Sequence, residues 1–118
     1  MLKKNYKDVE EKQATLMDGT KVEDVYVRWL IDKNLGAKNF ALRRFEIKPK
    51  GKVPLHVHSE EHEIYILSGT GNFYDDKGNG SIATKDDFIY IPSNERHGIE
   101  NLGEDNLVFL CLIPYLKK

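Results

Sequence analysis

The feature that most constrains this chain is its punctuation. Short runs rich in β-branched and aromatic residues recur along it, and Gly, Pro, Asn and Asp stand between them. Val25 to Ile31 (VYVRWLI), Phe40 to Ile47 (FALRRFEI), His62 to Leu67 (HEIYIL), Phe88 to Ile91 and Leu107 to Ile113 (LVFLCLI) read as strands. Asn72 to Asp75 and Ser81 to Thr84 flank Asp76-Lys77-Gly78-Asn79-Gly80 and read as a hairpin. About eight or nine short strands at intervals of roughly 8 to 12 residues, with no long helical pattern, indicate an all-β sandwich or barrel. The pattern alone leaves the two undecided. Residues 1–20 alternate charges with scattered apolar positions and fit a short helix or a loosely attached arm, up to the turn signal Asp18-Gly19. At 118 residues the chain is expected to be one domain.

Charge excludes several function classes. The net charge is −1 with both signs interspersed, so no basic field exists to attract nucleic acid or an anionic membrane. The longest apolar run, Leu107 to Pro114, is far below the roughly 20 residues a membrane span needs. The N-terminus MLKKNYKDVEEKQ has no apolar signal region, and the one cysteine, Cys111, allows no internal disulfide. A cytoplasmic location is the expectation.

The histidines are concentrated. Three of the four, His56, His58 and His62, lie in KGKVPLHVHSEEHEIYILSGTG, and the fourth, His97, lies in IPSNERHGIEN. On a strand His56 and His58 share a face, opposite Leu55 and Val57, and two imidazoles side by side can chelate one ion. Gly51 and Pro54 suggest a bend into that strand, and the SEE stretch before His62 reads as a turn.

With these segments the chain resembles the cupin superfamily, small β-barrels of jelly-roll topology named after two motifs, Gly-x5-His-x-His-x3-4-Glu-x6-Gly and Gly-x5-Pro-x-Gly-x2-His-x3-Asn. His56 and His58 match the paired histidines and Gly69 the closing glycine; Pro92, His97 and Asn101 match the second motif. His62, with six residues between it and Gly69, stands in the place of the usual glutamate ligand; Glu63 fits the spacing from His58 but leaves five residues to Gly69 and would point away from Ile64 and Ile66. Lys50, Asp86 and Asn94 replace motif glycines; asparagine tolerates the left-handed conformation, so it is Lys50 and Asp86 that put local turn geometry in question. The resemblance spans about residues 25–114, with 1–24 as an N-terminal arm, and points to the small one-domain cupins that hold manganese or a similar ion on four histidines.

The resemblance implies a divalent metal on His56, His58, His62 and His97, with two adjacent positions open. Neutral imidazoles suit first-row transition metals, manganese first here by resemblance, with iron, nickel, cobalt, copper or zinc also compatible. A histidine in place of glutamate leaves an M²⁺ centre its full charge, which favours anionic or enolisable ligands. Phe109, Cys111 and Ile113 share a strand face, and with Arg43 and Phe45 they are the candidate pocket residues. The expected activity is a dioxygenase-like or oxidative cleavage of a small organic substrate. The alternatives are a Lewis-acid isomerase or lyase on a small hydroxy or keto acid or sugar, and a non-catalytic small-ligand or metal-binding module. Leu107 to Ile113 is apolar on both faces, which implies that a second sheet or another subunit covers its second; the resemblance implies a homodimer, since such cupins are often dimers, and that would supply the cover.

Overall fold

The structure, a computed structural model, describes residues 1–116, so the last two residues of the domain expected over 1–118 lie outside the described residues. Ten strands follow one another: β1 (Lys12–Thr15), β2 (Lys21–Ile31), β3 (Phe40–Ile47), β4 (Lys52–His56), β5 (His62–Ser68), β6 (Gly71–Asp75), β7 (Gly80–Ala83), β8 (Phe88–Ile91), β9 (His97–Asn101) and β10 (Leu107–Pro114). They form a six-stranded sheet in the order β1-β2-β3-β10-β5-β8 and a four-stranded sheet in the order β4-β9-β6-β7. Pairing is antiparallel throughout. This is an all-β fold with jelly-roll architecture, and it has no α-helix among the described residues.

Period-two patterning builds the core between the sheets. Val25, Val27, Ile47, Ile64, Ile66, Leu107 and Phe109 of the larger sheet meet Phe73, Ala83 and Ile99 of the smaller one. Along β3 the inward set is Ala41, Arg43, Phe45 and Ile47, so a cation sits in a row of apolar side chains. Strand β10 lies between β3 and β5, and on its outer face Val108 is buried while Leu110 and Leu112 are half-buried.

The three motif positions that lack glycine still adopt the conformation glycine permits. Lys50, Asp86 and Asn94 have φ of 68°, 72° and 64°, so the turns keep their left-handed residues at some steric cost. Gly69 is different. Its φ is 89°, and a Cβ there would stand 2.5 Å from the Asn106 carbonyl oxygen.

Two local expectations need correction. Strand β4 ends at His56, so His58 is not a strand residue sharing a face with His56 but belongs to the connection that leads to β5. Residues 1–20 form neither a helix nor an unpaired arm. A single 3-10 turn, Tyr6–Asp8, is capped by Asn5, and β1 pairs with β2 across Gln13 and Tyr26. The Tyr6 ring lies under the Arg44 guanidinium at 3.9 Å, and the Arg28 Nη1 donates to the Val9 carbonyl at 2.6 Å. Those contacts fasten the N-terminal segment to the outer face of β2 and β3.

Candidate metal centre

The four histidines gather from four places in the fold. His56 ends β4, His97 opens β9 directly opposite it, His58 lies in the following connection, and His62 opens β5 in the other sheet. The His56 and His97 ring centroids are 4.3 Å apart, His58 and His97 5.1 Å, His58 and His62 4.4 Å, and His62 and His97 5.4 Å. His56, His58 and His97 each bring one ring nitrogen to within 4.8 Å of the others. Such convergence of uncharged nitrogen donors fits a transition metal.

Backbone carbonyls fix how these three rings present themselves. The Nδ1 atoms of His56, His58 and His97 lie 2.8 Å from the carbonyl oxygens of Pro54, Glu60 and Glu95. A carbonyl can only accept, so each Nδ1 carries the hydrogen and each neutral ring offers its Nε2 lone pair. In each case the carbonyl belongs to a residue two positions away, so the orientation is built into the local chain. The connection carrying His58 is itself held by Asn94, whose backbone N–H donates to the His58 carbonyl at 3.0 Å.

His62 has different neighbours. Its Nε2 stands 2.8 Å from the His58 Nε2, and its Nδ1 stands 2.9 Å from the Cys111 Sγ. The Arg43 Nη2 donates to the same sulfur at 3.1 Å. Burial strongly disfavours a charge on His62, and with help from the Arg43 cation its pKa is pushed down to about 2. Burial likewise lowers His97 to about 4 and lowers His58, and it raises the Cys111 thiol although Arg43 opposes that rise. At neutral pH His58, His62 and His97 are therefore neutral imidazoles beside a protonated thiol, the state a divalent cation requires of its histidine ligands.

All nine residues singled out in the sequence face one cavity of about 120 Å³: the four histidines, Arg43, Phe45, Phe109, Cys111 and Ile113. Phe45 and Phe109 stack at 5.3 Å, and the Arg43 guanidinium lies 4.8 Å from the Phe45 ring and 5.2 Å from that of Trp29. Among the described residues no carboxylate pairs with Arg43, and its Nε is buried without a hydrogen-bond partner. Two contributions were not read from the sequence. Ala14, Leu16 and Met17 of the N-terminal segment line the cavity, and so does Glu60, from the turn before His62. The one available signal for Glu60 was its place two residues after His58.

The Cupin domain family matches residues 43–113, which include every histidine of the cluster. An oxalate-binding protein of Thermotoga maritima is 33% identical over 110 residues, covering 92% of this chain and 90% of that protein. Among solved structures, the polyketide cyclase RemF of Streptomyces resistomycificus superposes with a TM-score of 0.85 at 29% identity, over 100% of this chain and 88% of that one. A predicted oxalate decarboxylase of Thermotoga maritima superposes with a TM-score of 0.79 at 31% identity, over 95% of this chain and 97% of that one. From the family match, the two-sheet fold and the histidine motifs at their stations, the chain belongs to the cupin family.

Proposed function

We propose that this cupin holds one divalent transition metal, manganese first among the candidates, on His56, His58, His97 and His62, and that it binds a small carboxylate beside it against Arg43. The observation that carries this reading is one cavity with two complementary features. Three imidazoles turn Nε2 lone pairs toward a common point, and an arginine with no carboxylate partner lines the same space. A half-buried guanidinium with no carboxylate partner favours an anion. A cavity of about 120 Å³ suits a compact molecule, since a comparable engineered cavity of roughly 150 Å³ takes up benzene. The likeness to an oxalate-binding protein over most of both chains supports the same ligand class.

When bound, the ion supplies Lewis acidity and, for manganese or iron, electron transfer. The chain's own residues orient the ligand: Arg43 faces its carboxylate, and Phe45, Phe109 and Ile113 exclude water from the remainder. Oxidative chemistry on the bound carboxylate is the second reading, and one observation favours it over isomerisation. Glu60 is the one carboxylate among the described lining residues, and the histidines are engaged with each other and the backbone, so few groups are free for general acid–base work. The single buried cysteine supports a reducing compartment, and we place the protein in the cytoplasm. Among the described residues no helix is long and apolar enough to cross a membrane. A second copy of the chain is the proposed partner.

Elemental analysis and calorimetry with oxalate and related small carboxylates test the reading. The wild type is expected to carry metal and bind oxalate, while His58→Ala and His62→Ala carry less. Arg43→Gln is expected to keep the metal and lose about 1.5–3 kcal/mol of oxalate binding, roughly 10- to 100-fold in affinity. Undiminished metal content in His62→Ala sinks the four-histidine assignment. Oxygen uptake on adding carboxylate separates the oxidative reading from binding alone.

A further inference from the structure

The odd member of the cluster is His62. The other three rings are oriented by backbone carbonyls, groups that accept hydrogen bonds and can do nothing else. His62 is oriented by a thiol, which both donates and accepts. That difference matters because the 2.8 Å separation of the His58 and His62 Nε2 atoms fits two arrangements. Either one hydrogen lies between the two nitrogens, or both turn lone pairs to one cation.

The partners of each atom decide the hydrogens in the first arrangement. His58 already donates from Nδ1 to the Glu60 carbonyl, so as a neutral ring it offers a lone pair at Nε2. The hydrogen between the two rings then belongs to His62 Nε2, which leaves a lone pair on His62 Nδ1. Cys111 must donate its S–H to that lone pair, while its sulfur accepts from the Arg43 Nη2, which has only hydrogens to give. The chain Arg43 to Cys111 to His62 to His58 to the Glu60 carbonyl runs in one direction without a clash.

In the second arrangement His62 Nε2 must lose its hydrogen and Nδ1 must gain one. The Nε2 hydrogen leaves to solvent and one is taken up at Nδ1, so the ring stays neutral and the balance is zero. Cys111 then has to accept from Nδ1–H, and its own hydrogen turns to the Leu112 carbonyl, 3.9 Å from the sulfur. A backbone carbonyl in place of Cys111 would permit only this second arrangement.

We propose that Cys111, held by Arg43, is the positioning residue of His62, a donor that keeps His62 in the Nε2–H form without the ion and an acceptor that lets it join the other three histidines when the ion binds. The proposal rests on the metal reading above, and its first test does not. Two-bond ¹H–¹⁵N spectra of the ¹⁵N-labelled full chain, treated with chelator, report the tautomer of every histidine. His56, His58 and His97 are expected as Nδ1–H and His62 as Nε2–H; His62 as Nδ1–H at this stage overturns the proposal. Zinc alone is then added, and His62 is expected to convert to Nδ1–H; His62 still in the Nε2–H form beside bound zinc overturns it too. A chain that takes up no zinc refutes the metal reading and the switch together, while the chelator-treated spectrum still decides the tautomers.

Cys111→Val removes both hydrogen-bonding roles with an apolar side chain one methyl bulkier. It is expected to weaken zinc binding by about 10- to 100-fold, the range for losing an outer partner of a ligating histidine. Cys111→Ser, which can donate and accept, is expected to restore most of that loss. Wild-type zinc affinity in a Cys111→Val chain whose spectrum retains native dispersion overturns the proposal.

Discussion

A pH prediction belongs to the scale of single residues. His62 and His97 have native pKa values pushed down by burial to about 2 and about 4, against an ordinary value near 6.5. Between those values and 6.5 the unfolded chain binds protons that the folded chain refuses, so stability rises with pH across this window and falls on acidification. Chelator-treated protein is expected to unfold at lower urea at pH 5 than at pH 7, with the loss starting just below 6.5. An equal or higher midpoint at pH 5 would show that the rings are not desolvated as described. Metal removal at pH 7 should also lower the melting temperature, because an ion that binds only the folded chain stabilises it by mass action.

The turns form the next scale, and here the legibility of the sequence was uneven. Strands β3 and β8 were read with the bounds they have, because Pro49, Gly36 and Pro92 punctuate runs of strong β character. Strand β1 has no signature in the sequence. It is four residues of polar-rich KQAT whose one buried side chain is Ala14, and it is a strand because β2 extends beside it, a tertiary effect that local propensity does not carry. The histidine cluster was legible through its spacing, but the placing of His56 and His58 on one strand was not correct, since His58 is aimed by the Glu60 carbonyl and by the tie to Asn94. Nothing in composition announces those two contacts. The same turns separate conformation from space. Asn94 needs only a left-handed backbone, so Asn94→Gly is expected to change stability by less than about 1 kcal/mol. Gly69 needs both the conformation and the room, with the Asn106 carbonyl 2.5 Å from a would-be Cβ. Gly69→Ala is therefore expected to cost about 3 kcal/mol or more, measured by urea unfolding. A loss under about 1 kcal/mol would mean that the β5 to β6 turn shifts at little cost.

At the scale of the whole molecule the outer face of the six-stranded sheet is the surface left to explain. Its cross-strand registers line up Arg28, Arg44, Leu110, Tyr65 and Phe88 in one row and Ile31, Leu42, Leu112, Glu63 and Tyr90 in the next. Tyr6 covers the arginine end of the first row through its contacts with Arg28 and Arg44. At the other end Phe88 is 80% exposed and Tyr90 56%, beside Tyr65, on the short edge strand β8 and its neighbour β5. Contiguous aromatic surface on an unpaired edge is what a monomer avoids, and a two-fold contact counts every buried ring twice. Burying a Phe88-sized side chain is worth about 2–3 kcal/mol, so the pair of copies gains roughly twice that from this residue. The wild type is expected to sediment as a dimer at micromolar concentration. Phe88→Glu is expected to shift it to monomer with an unchanged circular dichroism spectrum and unchanged metal content, since Phe88 lies outside the cavity-lining set. A wild type that sediments as a monomer refutes the dimer, and a Phe88→Glu chain that stays dimeric moves the contact off this end of the sheet.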